Sequence, residues 1–424
     1  MKLVRVFASG LALVVVASMG VVAFALDAPH TLRHAKPANQ HLSVTSHSRS
    51  RHAATHHSVS ATTPTRHRKY TAGSTHSGAT LRHASLRVHR HRYYERFTAS
   101  SFASGDIFAD DVTTGENPVV RQAALDALGD MNGTAVVIDP SNGRILAMVN
   151  QKLALSPGAE PCSTIKLSVA LAALSEGIVT RDTLVRLPGF RMNMTEALAH
   201  SNNLYFEELG RELGFDRVRH YANQFGLGEL AGYNIRGEQL GVYPDQPLAQ
   251  SEGGVGKMCS FGQGVSMTPL QLGAFVAAIA NGGTLYYLQH PTSPLEVASF
   301  QPRVKRTLDI GKLVPDLQDG MAGAVQYGTA RRLRANFQEL PVFGKTGTCS
   351  DKGTRFGWFV SYSETPQGSM VTVFFLEGGR PTFGPRAAEL TGEFYKNLWD
   401  RNYFADKGVP STATVPVSQT VQQQ

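Results

Sequence analysis

Two β-rich blocks, roughly 190 residues apart, limit what this chain can fold into. The first, "GTAVVIDPSNGRILAMVN" (133–150), holds two apolar runs joined across Pro140-Ser141-Asn142-Gly143, a hairpin signal. The second holds "LPVFGKTGTCS", "GWFVSYSE" and "MVTVFFLEGG" in close succession between 340 and 379, which read as three strands, closed by the helical "PRAAELTGEFYKNLWD". The stretch between the blocks is mostly of helical pattern. Two strands early, three late and helices between predict an α+β fold: one five-stranded antiparallel sheet completed by both ends of the domain, flanked by helices, with an all-helical subdomain inserted.

The rest of the chain divides by composition. The folded part is expected to open near Glu116, where "NPVVRQAALDALGDM" offers Asn117 as N-cap, Pro118 at the first helical position, and Val120, Ala124, Leu125 and Leu128 on one face. Residues 27–97 contain 12 of the 15 histidines and 12 Lys/Arg against Asp27 and Glu95, a local net charge of +10. Residues 98–424 contain 27 Lys/Arg against 31 Asp/Glu. The basic character therefore belongs to a tail, and a nucleic-acid partner is not expected. From Asp27 to about Ala99 the sequence has no apolar period and cannot bury enough surface to offset its conformational entropy, so 27–99 reads as a disordered linker. Contact of this linker with anionic wall polymers, or metal binding by its histidines, is the functional alternative to an inert tail. Residues 406–424 read as a second loose tail, which leaves 100–405 as the folded domain.

Lys2 and Arg5 precede an uncharged run from Phe7 to Leu26, long enough to span a bilayer as a helix. Ala23-Phe24-Ala25 also fits a signal cleavage site. Both readings of 1–26 export the remainder of the chain; as an anchor, the preferred one, it is single-pass with the N-terminus in the cytoplasm. Three cysteines in an exported chain allow one disulfide and one leftover thiol.

Three short signals stand at element edges: Ser163-x-x-Lys166, Ser201-Asn202-Asn203, and Lys345-Thr346-Gly347. Singly each is weak; in this order on these elements they form a constellation. In "EPCSTIKLSVALAAL" a helix opens on Cys162-Ser163 and carries Lys166 on the face of Leu167, Ala170 and Leu174. A serine hydroxyl needs a base to become a nucleophile. Lys166, one turn on, becomes that base if burial lowers its pKa; a lysine snorkelling to the surface is the bland alternative. Ser163 at a helix N-terminus also suits an oxyanion, with a second N–H from the facing strand. On that strand Gly347 would let substrate backbone approach, while Lys345, Thr346 and Thr348 hold an anionic group. Ser201 and Asn203 sit at a break between helical patterns, where such residues are by default caps; Ser201 could also relay a proton and Asn203 orient a substrate amide.

With these residues in place, the chain resembles the transpeptidase domain of penicillin-binding proteins, over roughly 117–400. "GTAVVIDPSNGRILAMVN", "FGQGVSMTPLQLGAFVAAIANGG" (261–283), "VQYGTARRL" and "GWFVSYSE" are similar to the family's text outside its motifs. The resemblance implies Ser163 as acylated nucleophile, Lys166 as base, Ser201 and Asn203 as the second motif, and Lys345, Thr346 and Gly347 as the third. It implies an oxyanion hole of the Ser163 and Thr348 N–H groups. The implied reaction is D,D-transpeptidation of D-Ala-D-Ala stem peptides in peptidoglycan, with β-lactams as covalent ligands, no cofactor and no metal, in a periplasm-facing domain. The chain departs from the family in having no room for a glycosyltransferase domain and a linker too short and polar for the usual pedestal domain. The family commonly has Gly where this chain has Cys162. Some carbapenem-hydrolysing serine β-lactamases carry a disulfide between the residue before the nucleophile and the residue two past the KTG glycine; a Cys162–Cys349 bond is the corresponding expectation, with Cys259 left as a buried thiol.

Two rivals share the acylation step. A β-lactamase needs a hydrolytic base, either a carboxylated Lys166 or a glutamate such as Glu252 in "QSEGGVGK". A β-lactam receptor needs only a lasting adduct.

Overall fold

A computed structural model describes residues 98–405 of the chain. The expectations for 1–26, for most of the 27–99 linker and for 406–424 lie outside these described residues. The hairpin strands are β1 (Gly133–Asp139) and β2 (Arg144–Val149), and the late block forms β3 (Val342–Asp351), β4 (Thr354–Thr365) and β5 (Gly368–Gly378). They make one antiparallel sheet in the order β2-β1-β5-β4-β3. Val136 pairs with Val373, so the join between the two blocks runs through the middle of the sheet. The Lys345 strand, β3, is left as an edge.

Alternation along the strands builds two cores, because successive side chains point to opposite faces. Ala135, Val137, Phe359, Phe374 and Leu376 face one core with α1 (Pro118–Leu128) and the last helix, Gly384–Asp400. Val136, Ile138, Trp358, Val360, Val373 and Phe375 face the other, which contains the inserted helices. Trp358 stacks on Phe375 at 3.9 Å between centroids. Each fully buried aliphatic or aromatic side chain contributes about 1.5–3 kcal/mol, so both helical layers are held by the sheet and not merely tethered to it. Asn117 caps α1 by accepting from the N–H groups of Val119 and Val120, while Leu125 is only partly buried and Ala123 and Ala127 complete the inner face.

The structured chain starts earlier than Glu116. Thr98 N–H donates to Arg380 O, Ala103 N–H to Asp130 O, and the Asp111 carboxylate accepts from the N–H groups of Asn150 and Gln151. This polar stretch is fixed by bonds to backbone far along the chain, which leave no local pattern. Two short hairpins, Val185–Leu187 with Phe190–Met192 and Thr284–Tyr286 with Val304–Thr307, interrupt the insertion, so it is not purely helical. Among the described residues no helix is long and apolar enough to cross a membrane.

Candidate active site

Pro161 leads into a 3₁₀ turn, Cys162–Ile165, which runs on into α2 (Lys166–Ser175). Ser163 lies in the first turn, as the pattern predicts. Cys162 has φ 52°, a left-handed backbone that glycine adopts freely and other residues rarely do, which fits the glycine that the resemblance leads one to expect here. Apolar residues surround α2 so completely that Lys166 is fully buried, which removes the snorkelling alternative.

The Lys166 ammonium position is defined by oxygens. Its Nζ stands 2.9 Å from Ser163 Oγ, 2.9 Å from Ser201 O, 3.1 Å from Ser201 Oγ and 2.6 Å from Asn203 Oδ1. The Phe206 ring lies 5.6 Å from it. Burial drives the Lys166 pKa well below its usual range, the charge of Lys345 adds to the fall, and Glu207 opposes it. A neutral amine keeps a lone pair, and Ser163 O–H is within reach to supply the proton.

The break that delivers Ser201 and Asn203 is built by the residue between them. The helix Met194–Ala199 (α3) ends, Ser201 takes φ 55°, and Asn202 caps α4 (Asn203–Gln224) by accepting from Tyr205 N–H. Capping therefore belongs to Asn202, and the side chains of Ser201 and Asn203 are free for Lys166. Lys166 takes up Asn203 Oδ1, while the Asn203 amide N–H groups have no bonded partner among the described residues and are left for a substrate carbonyl.

Lys345 is also fully buried, and its Nζ donates to Ser201 Oγ at 2.8 Å and to Thr346 O at 2.9 Å. Burial lowers its pKa to about 7. Its ammonium is turned onto Ser201 and its own strand and is not an open cationic hook. Gly347 differs from expectation as well. A Cβ there would fall 2.8 Å from Pro161 O and 3.1 Å from Thr164 Cγ2, so the glycine admits the nucleophile turn, not substrate backbone. Thr346 O–H donates to Thr329 Oγ1 at 2.7 Å, and exposed Thr348 accepts from Gly384 N–H. Cys162 and Cys349 are disulfide-bonded with Cα atoms 5.5 Å apart, and Cys259 is free, buried, and raised to about 12 by burial. Trp358 Nε1 donates to Glu160 O at 3.0 Å and pins the same turn. Thr329 and Trp358 were not foreseen from the sequence, and Asn202 stood in the second signal without its role as the cap. Only Asn202, followed three residues on by Tyr205 in a helical run, left a local signal. Glu252 is exposed on a 3₁₀ turn, Gln250–Glu252.

The family model "Penicillin binding protein transpeptidase domain" matches residues 133–396. The chain belongs to this family. Among relatives of the transpeptidase family, stage V sporulation protein D of Bacillus subtilis is 27% identical over 316 residues, 62% of this chain and 48% of that protein. Peptidoglycan D,D-transpeptidase MrdA of Acinetobacter baumannii is 26% identical over 350 residues, 64% of this chain and 51% of that protein. The chain thus spans about half the length of these curated relatives. The fold is shared with penicillin binding protein 3 of Mycobacterium tuberculosis in complex with aztreonam, at 22% identity and TM-score 0.56, covering 68% of this chain and 77% of that one.

Proposed function

We propose that this transpeptidase-family chain is a serine D,D-transpeptidase acting on D-Ala-D-Ala stem peptides of peptidoglycan, and that β-lactams acylate the same serine. The observation that carries the reading is Lys166 Nζ, buried and 2.9 Å from Ser163 Oγ, with no carboxylate bonded to it among the described residues. In this reading Ser163 Oγ attacks the carbonyl carbon of the penultimate D-Ala while its proton passes to neutral Lys166. The backbone N–H groups of Ser163 and Thr348 receive the oxyanion. The Lys166 proton then passes through Ser201 O–H to the departing nitrogen, the peptide bond breaks and D-Ala leaves. An acceptor amine attacks the ester, gives up a proton by the reverse path, and restores the Ser163 hydroxyl as the cross-link forms. Asn203 holds Lys166 through Oδ1 and orients the substrate amide through its N–H groups; Lys345, Thr346 and Thr348 form the substrate wall, and Gly347 lets the turn that carries Ser163 pack against it.

The proposed frame is a 100–405 catalytic domain held at the outer face of the cytoplasmic membrane by residues 1–26. The basic 27–99 segment acts as linker and wall contact. Deleting 30–95 is expected to release the protein from isolated sacculi; unchanged retention removes the wall role.

Intact-protein mass spectrometry after incubation with benzylpenicillin tests the reading, with Ser163→Ala alongside. A lasting adduct on the wild type alone is expected. A transient adduct with accumulating hydrolysed penicillin makes the protein a β-lactamase, and no adduct removes the acyl-transfer reading.

A further inference from the structure

Thr329 lies between the two loops that hold the reacting groups. Its N–H donates to Ala199 O at 3.1 Å, two residues ahead of Ser201. Gly328 makes this approach possible, since a Cβ there would sit 2.1 Å from the same carbonyl oxygen. On its other side Thr329 Oγ1 accepts the Thr346 hydroxyl proton at 2.7 Å. Thr346 is buried and Thr329 is partly open. Having accepted from Thr346, the Thr329 hydroxyl keeps its own hydrogen, which among the described residues has no hydrogen-bond acceptor.

The surroundings of that hydrogen favour an anion. Lys345, next to Thr346, and Lys166 are both buried, and their bonded partners are neutral oxygens. A neutral donor with its oxygen already polarised by a second hydroxyl is a strong donor to a carboxylate. Resting on the acyl-transfer reading above, we infer that Thr329 is a specificity-determining residue that donates its O–H to the terminal carboxylate of the acyl donor. Thr346 orients that hydroxyl. Discrimination between donors that end in a carboxylate and donors that do not is thereby assigned to a residue outside the three short motifs.

The test uses two acyl-D-alanyl thioesters, one whose leaving group ends in a carboxylate and one with the matching carboxamide. Thr329→Val keeps the shape and removes the hydroxyl. It is expected to lower kcat/KM for the carboxylate ester by about 10- to 100-fold, the worth of a hydrogen bond to a charged group, and to leave the carboxamide within about threefold. Thr329→Ser is expected to stay close to wild type with both. Should valine disturb the packing on Ala199, Thr329→Ala repeats the test with space left over. Equal losses with both esters, or no loss with either, overturn the assignment. A wild-type chain that reacts with neither ester overturns the acyl-transfer reading, and this assignment with it.

Discussion

Two clusters among the described residues bury positive charge and treat it in opposite ways. On the nucleophile side, Lys166 and Lys345 share Ser201 and meet neutral oxygens. At the start of the domain, Arg121 meets Asp111 at 2.8 Å and Glu116 at 2.9 Å, with His290 3.0 Å from Glu116 and side chains between 1% and 12% exposed. Burial pulls the Arg121 pKa down, but the bonds and charges of Asp111 and Glu116 outweigh it and the net shift is upward. At Lys166 and Lys345 burial goes unopposed or nearly so, and both fall. The first cluster gives its cation two carboxylates and holds structure. The second lacks its counter-charge and is left able to take a proton and attract an anion.

Four experiments sharpen this contrast, the strongest first. Lys166→Met removes the buried amine without removing volume; if that amine is the proposed base, acylation by benzylpenicillin slows by about 10²- to 10⁴-fold, with a melting temperature no lower than wild type. A loss of folding instead would make Lys166 structural. Arg121→Met strands two buried carboxylates and is expected to cost about 3–5 kcal/mol in denaturant unfolding, with acylation of the remaining folded protein unchanged. If acylation falls as well, the two clusters are coupled. Replacing Cys162 and Cys349 together by alanine is expected to lower stability by about 2–4 kcal/mol, because the unfolded chain regains a long loop. Unfolding at the same denaturant concentration with and without the bond would dismiss that contribution.

The smallest effect is in pH. A like charge at Lys345 helps hold Lys166 down and Glu207 holds it up. Lys345→Met should therefore move the acidic limb of the acylation profile to higher pH, and Glu207→Gln to lower pH, each by less than about one unit. Lys345 also carries a stability signature. Its folded pKa of about 7 lies below the ordinary 10.5, so its protonated form favours unfolding. That penalty is full below pH 7 and fades as pH rises toward 10.5, and Lys345→Met should remove this slope.

The sheet and the three motifs were legible because β-branched runs, turn residues and helix-period patterns leave local marks. That Lys166 lies on an inner helix was legible for the same reason, from Leu167, Ala170 and Leu174 beside it; the Ser201, Asn203 and Phe206 groups around its ammonium come from another segment. The stretch 98–116 was not, being polar and held by Asp111 and Glu116 to backbone at 148–151. Gly347 was read as space for a ligand because nothing local reveals that Pro161 occupies that space. Lys345 was read as an open cation because sequence does not show that its ammonium folds back on Ser201 and its own strand. The contact from Thr346 to Thr329 crosses between elements and has no signature in either segment.

The central seam of the sheet has a consequence for how the molecule is made. β1 finds its inner neighbour only in β5, more than two hundred residues downstream. As the chain emerges N-terminus first, the early hairpin waits with one flank unpaired until Gly378 has been delivered, while the inserted helices can already associate. Closure of the sheet is thus a late, long-range event, slow by its topology. A synthesis halted short of the last strand yields Ser163, Lys166 and Ser201, but only two separate strand pairs where one sheet should hold them in register.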